Sequence, residues 1–312
     1  MTQATIRTVA VIGTGLIGTG WAALFRHAGL AVRAWDPAPG TAAALAGRLA
    51  ALDRDLDAAG IPGAPGGTLS VHASLEDAVA GADFVQENGP ERLDLKQETL
   101  AAIDRAAAAH AVIASSSSAL RVSDMQSACA RPGRVVLGHP FNPSHLMPLV
   151  EVAGGEATGP GAVELARGFY ERLGKRPVVL AREVPGHLAL RLMAAMWREA
   201  IHLVADGVAT AEDVDRAFMY GPAPKWALQG SFLSNHLGAG DAGMEAFLDR
   251  FGDTYQRLWD DLGTARLDRA TAERVVIETE RSARGRTTAQ LREERDRGLP
   301  EMLKVLHRHA SL

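Results

Sequence analysis

The chain has 312 residues, 47% of them hydrophobic, which is enough for a sizeable core in one large or two ordinary domains. Its 33 basic and 37 acidic residues are interspersed and leave a formal net charge of −4, so there is no electrostatic footprint for nucleic acid. No segment approaches the roughly 18 uninterrupted apolar residues of a membrane span, residues 1–8 lack the pattern of a signal peptide, and the single Cys129 excludes an internal disulfide, so a cytoplasmic protein is expected.

In chain order, the apolar run 8–12 reads as a buried strand leading into Gly13-Thr14-Gly15-Leu16-Ile17-Gly18, and a second run, 31–35, ends at Asp36. Gly13 permits the tight strand-to-helix turn, Gly15 lets the backbone approach a pyrophosphate, and Gly18 lets the helix pack close to the sheet. The free amides of the helix start, at Leu16 and Ile17, face the phosphate charge. Asp36 can accept hydrogen bonds from both ribose hydroxyls and repels a 2′-phosphate, so NAD is expected rather than NADP.

Further strands are expected at 83–86, 112–114, 135–138, 149–153 and 177–181, with helices near 16–28, 41–59, 93–108, 123–130 and 162–173. Ser74-Leu75-Glu76-Asp77 resembles a capping box, and 61–67, dense in Pro and Gly, reads as a turn. This alternation predicts an α/β protein with an N-terminal Rossmann-type, doubly wound, mostly parallel sheet. After Pro185 no convincing strand follows. Helices are expected at 188–205, from 210 onward, and at 243–262, 269–284 and 287–309, forming an all-helical C-terminal domain. A boundary near 183–185 divides the chain into 1–184 and 185–312.

Gly138-His139-Pro140-Phe141-Asn142-Pro143 places His139 at the carboxyl end of an expected strand, where ligands of open parallel sheets bind. Pro140 favours an extended His139 and stops the strand, and histidine is well poised for proton transfer near neutral pH. Glu151 lies within Leu149-Val150-Glu151-Val152, where a carboxylate is costly unless paired. Returning beside His139, it would fix the tautomer and stabilise the imidazolium. Ser115-Ser116-Ser117-Ser118 either caps a turn or donates hydrogen bonds to substrate, and the quartet alone does not decide. His145 is near the proposed site, whereas His187, His202 and His236 read as structural. Neither H-E-x-x-H nor C-x-x-C spacing occurs, so no metal is expected, and no G-x-S-x-G elbow suggests a hydrolase.

With the glycine fingerprint, the serine run, H-P-F-N-P, L-V-E-V and a helical second half, the chain resembles the 3-hydroxyacyl-CoA dehydrogenase superfamily over nearly its whole length. The resemblance implies an NAD-dependent enzyme with His139 and Glu151 as a catalytic pair and Ser118 near the reacting hydroxyl. It maps cofactor positions to Gly13, Gly15, Gly18 and Asp36, and places Glu91 and Lys96 near the nicotinamide half. It also implies that the helical domain mediates substrate binding and homodimerisation. One departure is Leu190, in Pro185-Gly186-His187-Leu188-Ala189-Leu190-Arg191, where the family pattern P-G-F-x-x-N-R has asparagine. A second is the segment 37–68, short and without lysine, where acyl-CoA members carry a lysine-rich hairpin.

Trp197-Arg198-Glu199-Ala200, Asp206-Gly207-Val208-Ala209-Thr210 and Lys225-Trp226-Ala227-Leu228-Gln229-Gly230 are more similar to the branch of carnitine and L-gulonate 3-dehydrogenases, with lambda-crystallin a near relative. That branch implies oxidation of a small free 3-hydroxy acid, L-carnitine favoured, with L-gulonate, another free acid or a 3-hydroxyacyl-CoA as alternatives. A non-catalytic, NAD-binding structural or regulatory protein is the alternative of a different class. Asn142, Trp226 and Phe232 are candidate substrate contacts. Trp226, Phe232, Tyr255 and Trp259 either offer faces to a quaternary ammonium or fill a core.

Overall fold

Strand β1 (Thr8–Ile12) is the centre from which the fold is wound. The chain leaves it through helix α1 (Leu16–His27), pairs β2 (Ala31–Trp35) on one side, and after α2 (Leu45–Ala58) adds β3 (Thr68–Val71) beyond β2. It then passes α3 (Leu75–Val79) and crosses to the other side of β1 with β4 (Phe84–Glu87). Helix α4 (Leu93–Ala106), β5 (Val112–Ser115), α5 (Val122–Gln126), β6 (Val135–Pro140), β7 (Leu149–Gly154), α6 (Pro160–Arg172) and β8 (Arg176–Val179) complete an eight-stranded sheet of order β3-β2-β1-β4-β5-β6-β7-β8. Every neighbouring pair is parallel except β6 and β7. The strand order reverses between β1 and β4, the switch point at which a doubly wound sheet opens its ligand crevice.

The computed structural model describes residues 6–41 and 44–309, in two units that divide between Arg191 and Leu192. In the first unit the central strands are buried throughout, as a sheet covered on both faces requires. One layer of the core runs from Ala10 and Ile12 through Val85, Leu100, Ile113 and Leu137. The other is aromatic: Trp21 stacks on Phe25 at 5.2 Å, and Phe84 meets Phe169 at 4.4 Å. Ser74 caps α3, its hydroxyl accepting from Asp77 N at 3.0 Å.

The second unit is helical among the described residues, with the rest of α7 (Ala189–Ala205), α8 (Ala211–Tyr220), α9 (Pro222–Leu237), α10 (Gly243–Asp261), α11 (Arg269–Ala283) and α12 (Thr288–His309). Thr210 and Asp268 cap α8 and α11 through the amides of Asp213 and Thr271.

Four expectations are corrected. Strand β3 was not foreseen; it is an edge strand, largely exposed, without apolar alternation. The helix expected at 123–130 ends at Gln126, where the chain turns toward Pro132. That expected at 41–59 begins at Leu45, its residues 42–43 lying outside the described ones, as do 1–5 of the expected leaderless start. Helix α9 was missed because Pro222, Pro224 and Gly230 mask its periodicity; Gly230, at φ +69°, breaks it into two.

Candidate active site

The turn after β1 shows why its glycines are glycines. Gly13 has φ +86°, a region that side chains rarely adopt, and a Cβ there would lie 2.9 Å from Asn88 O. A Cβ on Gly18 would meet Gly13 O at 1.9 Å, so helix and turn touch only because it is absent. Around Gly15 nothing lies within 4 Å of a Cβ position. Open space there, at a helix N-terminus with no side-chain cap, fits a dinucleotide pyrophosphate. Leu16 is exposed beside it, and the Ile17 carbonyl accepts from Ser144 Oγ at 2.8 Å. Asp36 stands at the end of β2, but part of its carboxylate is engaged: Oδ2 accepts from Thr14 N at 2.6 Å and Oδ1 from Ala38 N at 2.9 Å.

The carboxyl ends of β4 and β5 carry a second layer of polar groups. Glu87, which the sequence reading missed, is fully buried and takes two bonds of 2.9 Å from Lys96 Nζ and one of 2.6 Å from Ser115 Oγ. Lys96 also donates to Gly89 O at 3.0 Å. Its ammonium is therefore spent on the turn between β4 and α4 that presents Glu91.

Glu91 Oε1 accepts from Ser117 Oγ at 2.6 Å and from the amides of Ser118 and Ala119 at 3.1 and 2.8 Å. Burial pushes its carboxyl up, but the Ser117 hydroxyl, these amides and the Lys96 charge outweigh it and hold the group below its ordinary range. The serine quartet is thereby sorted. Ser115 serves Glu87, Ser116 serves Asn88 at 2.7 Å, and Ser117 serves Glu91. Only the Ser118 hydroxyl has no partner among the described residues.

His139 and Glu151 are directly opposite in the antiparallel β6–β7 ladder, so both side chains emerge on one face. His139 Nδ1 lies 2.8 Å from Glu151 Oε2, and both residues are buried. Glu151 Oε1 accepts from Leu188 N and Ala189 N, at 2.7 and 2.9 Å, where α7 begins. Burial raises the Glu151 carboxyl, but the His139 hydrogen bond and the two amides overcome it and keep the group below its usual range. An ionised carboxylate only accepts, so the Nδ1 proton belongs to His139, and Nε2 is the nitrogen at which the ring can exchange a proton.

The turn after β6 is held from beneath. Lys175 Nζ donates to the carbonyls of Ser144, His145 and Met147 at 2.7, 3.2 and 2.7 Å, and lies 5.5 Å from the centre of the Trp21 ring. Burial pushes its pKa down to about 7. Asn142 and Leu16 line one cleft of about 300 Å³ with Arg48 and Ser144. His145 Nε2 lies 3.5 Å from Asp55.

Trp226 and Phe232 belong to the second unit, on α9 to either side of Gly230. Trp226 packs edge-on to Phe218, with ring centres 6.3 Å apart, and Phe232 is 81% exposed. Leu190 is half-buried at the start of α7.

The 3-hydroxyacyl-CoA dehydrogenase NAD-binding domain matches residues 8–184, and the C-terminal domain of the same dehydrogenases matches 186–277. The chain belongs to the 3-hydroxyacyl-CoA dehydrogenase family. As a member it is an NAD-dependent oxidoreductase. It is 47% identical over 304 residues to an L-carnitine dehydrogenase of Streptomyces griseus subsp. griseus, covering 97% of this chain and 91% of that one. An L-carnitine dehydrogenase from a Pseudomonas species is 44% identical, with 96% and 94% covered. Among solved structures of the family's fold, 5-formyl-3-hydroxy-2-methylpyridine 4-carboxylic acid 5-dehydrogenase, an NAD+-dependent dismutase, is 32% identical with a TM-score of 0.81, covering 97% and 99%.

Proposed function

We propose that the chain oxidises the 3-hydroxyl of L-carnitine with NAD+. The observation that carries the chemistry is the His139–Glu151 pair, which commits Nδ1 to the carboxylate and leaves Nε2 as the nitrogen for proton transfer at the carboxyl end of β6. His139 takes the hydroxyl proton, Glu151 fixes the ring and stabilises the imidazolium, and the unspent Ser118 hydroxyl holds the reacting oxygen. NAD+, when bound, would supply the hydride acceptor for C3. Gly13, Gly15, Gly18 and the amides of Leu16 and Ile17 would hold its pyrophosphate, and Asp36 its ribose. Glu91, kept in place by Lys96, would orient its nicotinamide half. Asn142, Trp226 and Phe232 are proposed substrate contacts.

The kinship with L-carnitine dehydrogenases supports the choice of substrate. A free acid is favoured over a CoA thioester because 37–68 has no lysine, Arg26 pairs with Asp53, and Arg48 donates to Thr41 O. The domain division 1–184 and 185–312 belongs to the same proposal, as does a cytoplasmic homodimer formed through the helical part. Support for the dimer comes from its exposed Tyr220 and Trp259, and sedimentation equilibrium tests it.

The test of substrate is reduction of NAD+ with L-carnitine, L-gulonate, 3-hydroxybutyrate and 3-hydroxybutyryl-CoA. Carnitine is expected to be turned over fastest, and silence on carnitine with activity on another acid overturns the choice. His139→Ala should lower kcat by roughly 10²–10⁴-fold. Near-parental turnover in a folded His139→Ala protein removes His139 from the base role.

A further inference from the structure

The segment between β8 and α7 folds over the catalytic pair through one residue that the reading of His139 as base does not use. His187 is buried at 1% exposure and sits at φ +50°, a conformation side-chain-bearing residues rarely adopt, directly after Gly186 at φ +74°. These two residues turn the chain so that the next two amides, Leu188 and Ala189, reach Glu151 Oε1. The ring of His187 packs against the His139 ring with centres 5.3 Å apart and planes at 51°. Its Nε2 lies 3.1 Å from Ser117 O.

A carbonyl only accepts, so the Nε2 atom carries a proton, and Nδ1 is buried with no hydrogen-bond partner among the described residues. Burial makes the ring harder to charge, and a positive His139 adds to this. The Ser117 carbonyl, Glu151 and Glu91 act in the opposite sense but do not reverse it. Burial thus disfavours the charged form of His187.

We propose that His187 is a positioning residue of the proton-transfer site. Its N–H fixes the Ser117 carbonyl, and so the Ser118 hydroxyl that follows it, in register with the His139 ring it packs against. The proposal rests on the reading of His139 as base and Ser118 as its partner at the reacting oxygen.

His187→Phe keeps an aromatic ring against His139 and removes the N–H. His187→Gln keeps a donor of similar reach to Ser117. Turnover of L-carnitine, or of whichever acid in the panel is oxidised, is measured with NADH binding by fluorescence and a thermal melt. The Phe variant is expected to lose about 10- to 100-fold in kcat, as misplacement of a reacting group by about 1 Å does, with NADH affinity unchanged. The Gln variant is expected to recover most of that loss.

A folded Phe variant with parental kcat overturns the proposal, and so does a Gln variant no better than Phe. If the Phe variant fails to fold, Gln decides alone: near-parental kcat upholds the Ser117 contact, and a loss of about tenfold in a folded protein overturns it. His139→Ala separates the two readings, because its survival as an active enzyme would fell the base assignment whatever the His187 variants do.

Discussion

Glu151 illustrates how a costly residue becomes useful. A carboxylate among valines would be expelled or neutralised if alone, but here two main-chain amides and one imidazole N–H fill its acceptor sites. Glu151→Gln keeps the shape but lets a neutral amide face Nδ1, losing both the tautomer preference and the charge opposite the imidazolium. The expected result is a fall in kcat of roughly 10²–10⁴-fold with unchanged NADH affinity, read from steady-state kinetics and fluorescence titration. A Glu151→Gln protein as fast as the parent would reduce the carboxylate to a structural anchor. His139 and Glu151 were legible because each is an ionisable residue out of place in an apolar strand. Ser118 was legible only as one of four hydroxyls, since its distinction lies in what occupies the other three. Glu87 and His187 were not legible: nothing local marks an acid at the end of β4 as the partner of Lys96, or a histidine after Gly186 as a neighbour of His139.

At the scale of the element, the turn from β1 to α1 separates folding from binding within one motif. A methyl at Gly18 would collide with the Gly13 carbonyl at 1.9 Å, which the backbone can relieve only by moving α1. Gly18→Ala is expected to destabilise the protein by about 1–3 kcal/mol, the usual cost of overpacking, and to weaken NADH binding as well. Gly15→Ala meets nothing within 4 Å and should melt like the parent while losing NADH affinity, because its methyl enters the space assigned to the pyrophosphate. Thermal melts beside fluorescence titrations check both, and normal NADH binding in Gly15→Ala would remove the phosphate from that turn. Apolar runs announce strands, so β1, β2 and β4 to β8 were readable in the chain, β2 although alternate residues are only half-buried and β8 although it is an exposed edge. Strand β3, an exposed edge too, was hidden because Thr68-Leu69-Ser70-Val71 carries no continuous apolar run. Helix α9 was hidden because its kink at Gly230 divides the period on which a helix is recognised.

Across the whole molecule, the carboxylates held below their ordinary range by burial-compensating bonds gather in the first unit: Asp83, Glu91, Asp104 and Glu151. The pattern along the chain revealed two kinds of fold in series but not this asymmetry, because it depends on which charges are paired inside. Asp104 is the most structural of the four. Its side chain is fully buried, accepting from Arg131 N and Arg134 Nε, both at 2.9 Å. Burial alone would raise its carboxyl; those bonds and the two guanidinium charges lower it. A carboxyl depressed in the folded state stabilises fully above its unfolded pKa, about 3.9 for Asp. That stability is lost as pH falls through the folded value, since the unfolded chain binds the extra proton first. Asp104→Asn should therefore be less stable at pH 7 by about 3–5 kcal/mol, because the nearly buried Arg134 loses its counter-charge. Its stability should also fall less steeply in acid, by up to one proton's worth of slope. Urea unfolding of both proteins at intervals from neutral pH to about pH 3 would show the two curves converging. Curves that stay parallel would mean that Asp104 takes up its proton equally in the folded and unfolded states, and that the Arg134 pair does not drive the acid sensitivity of the first unit.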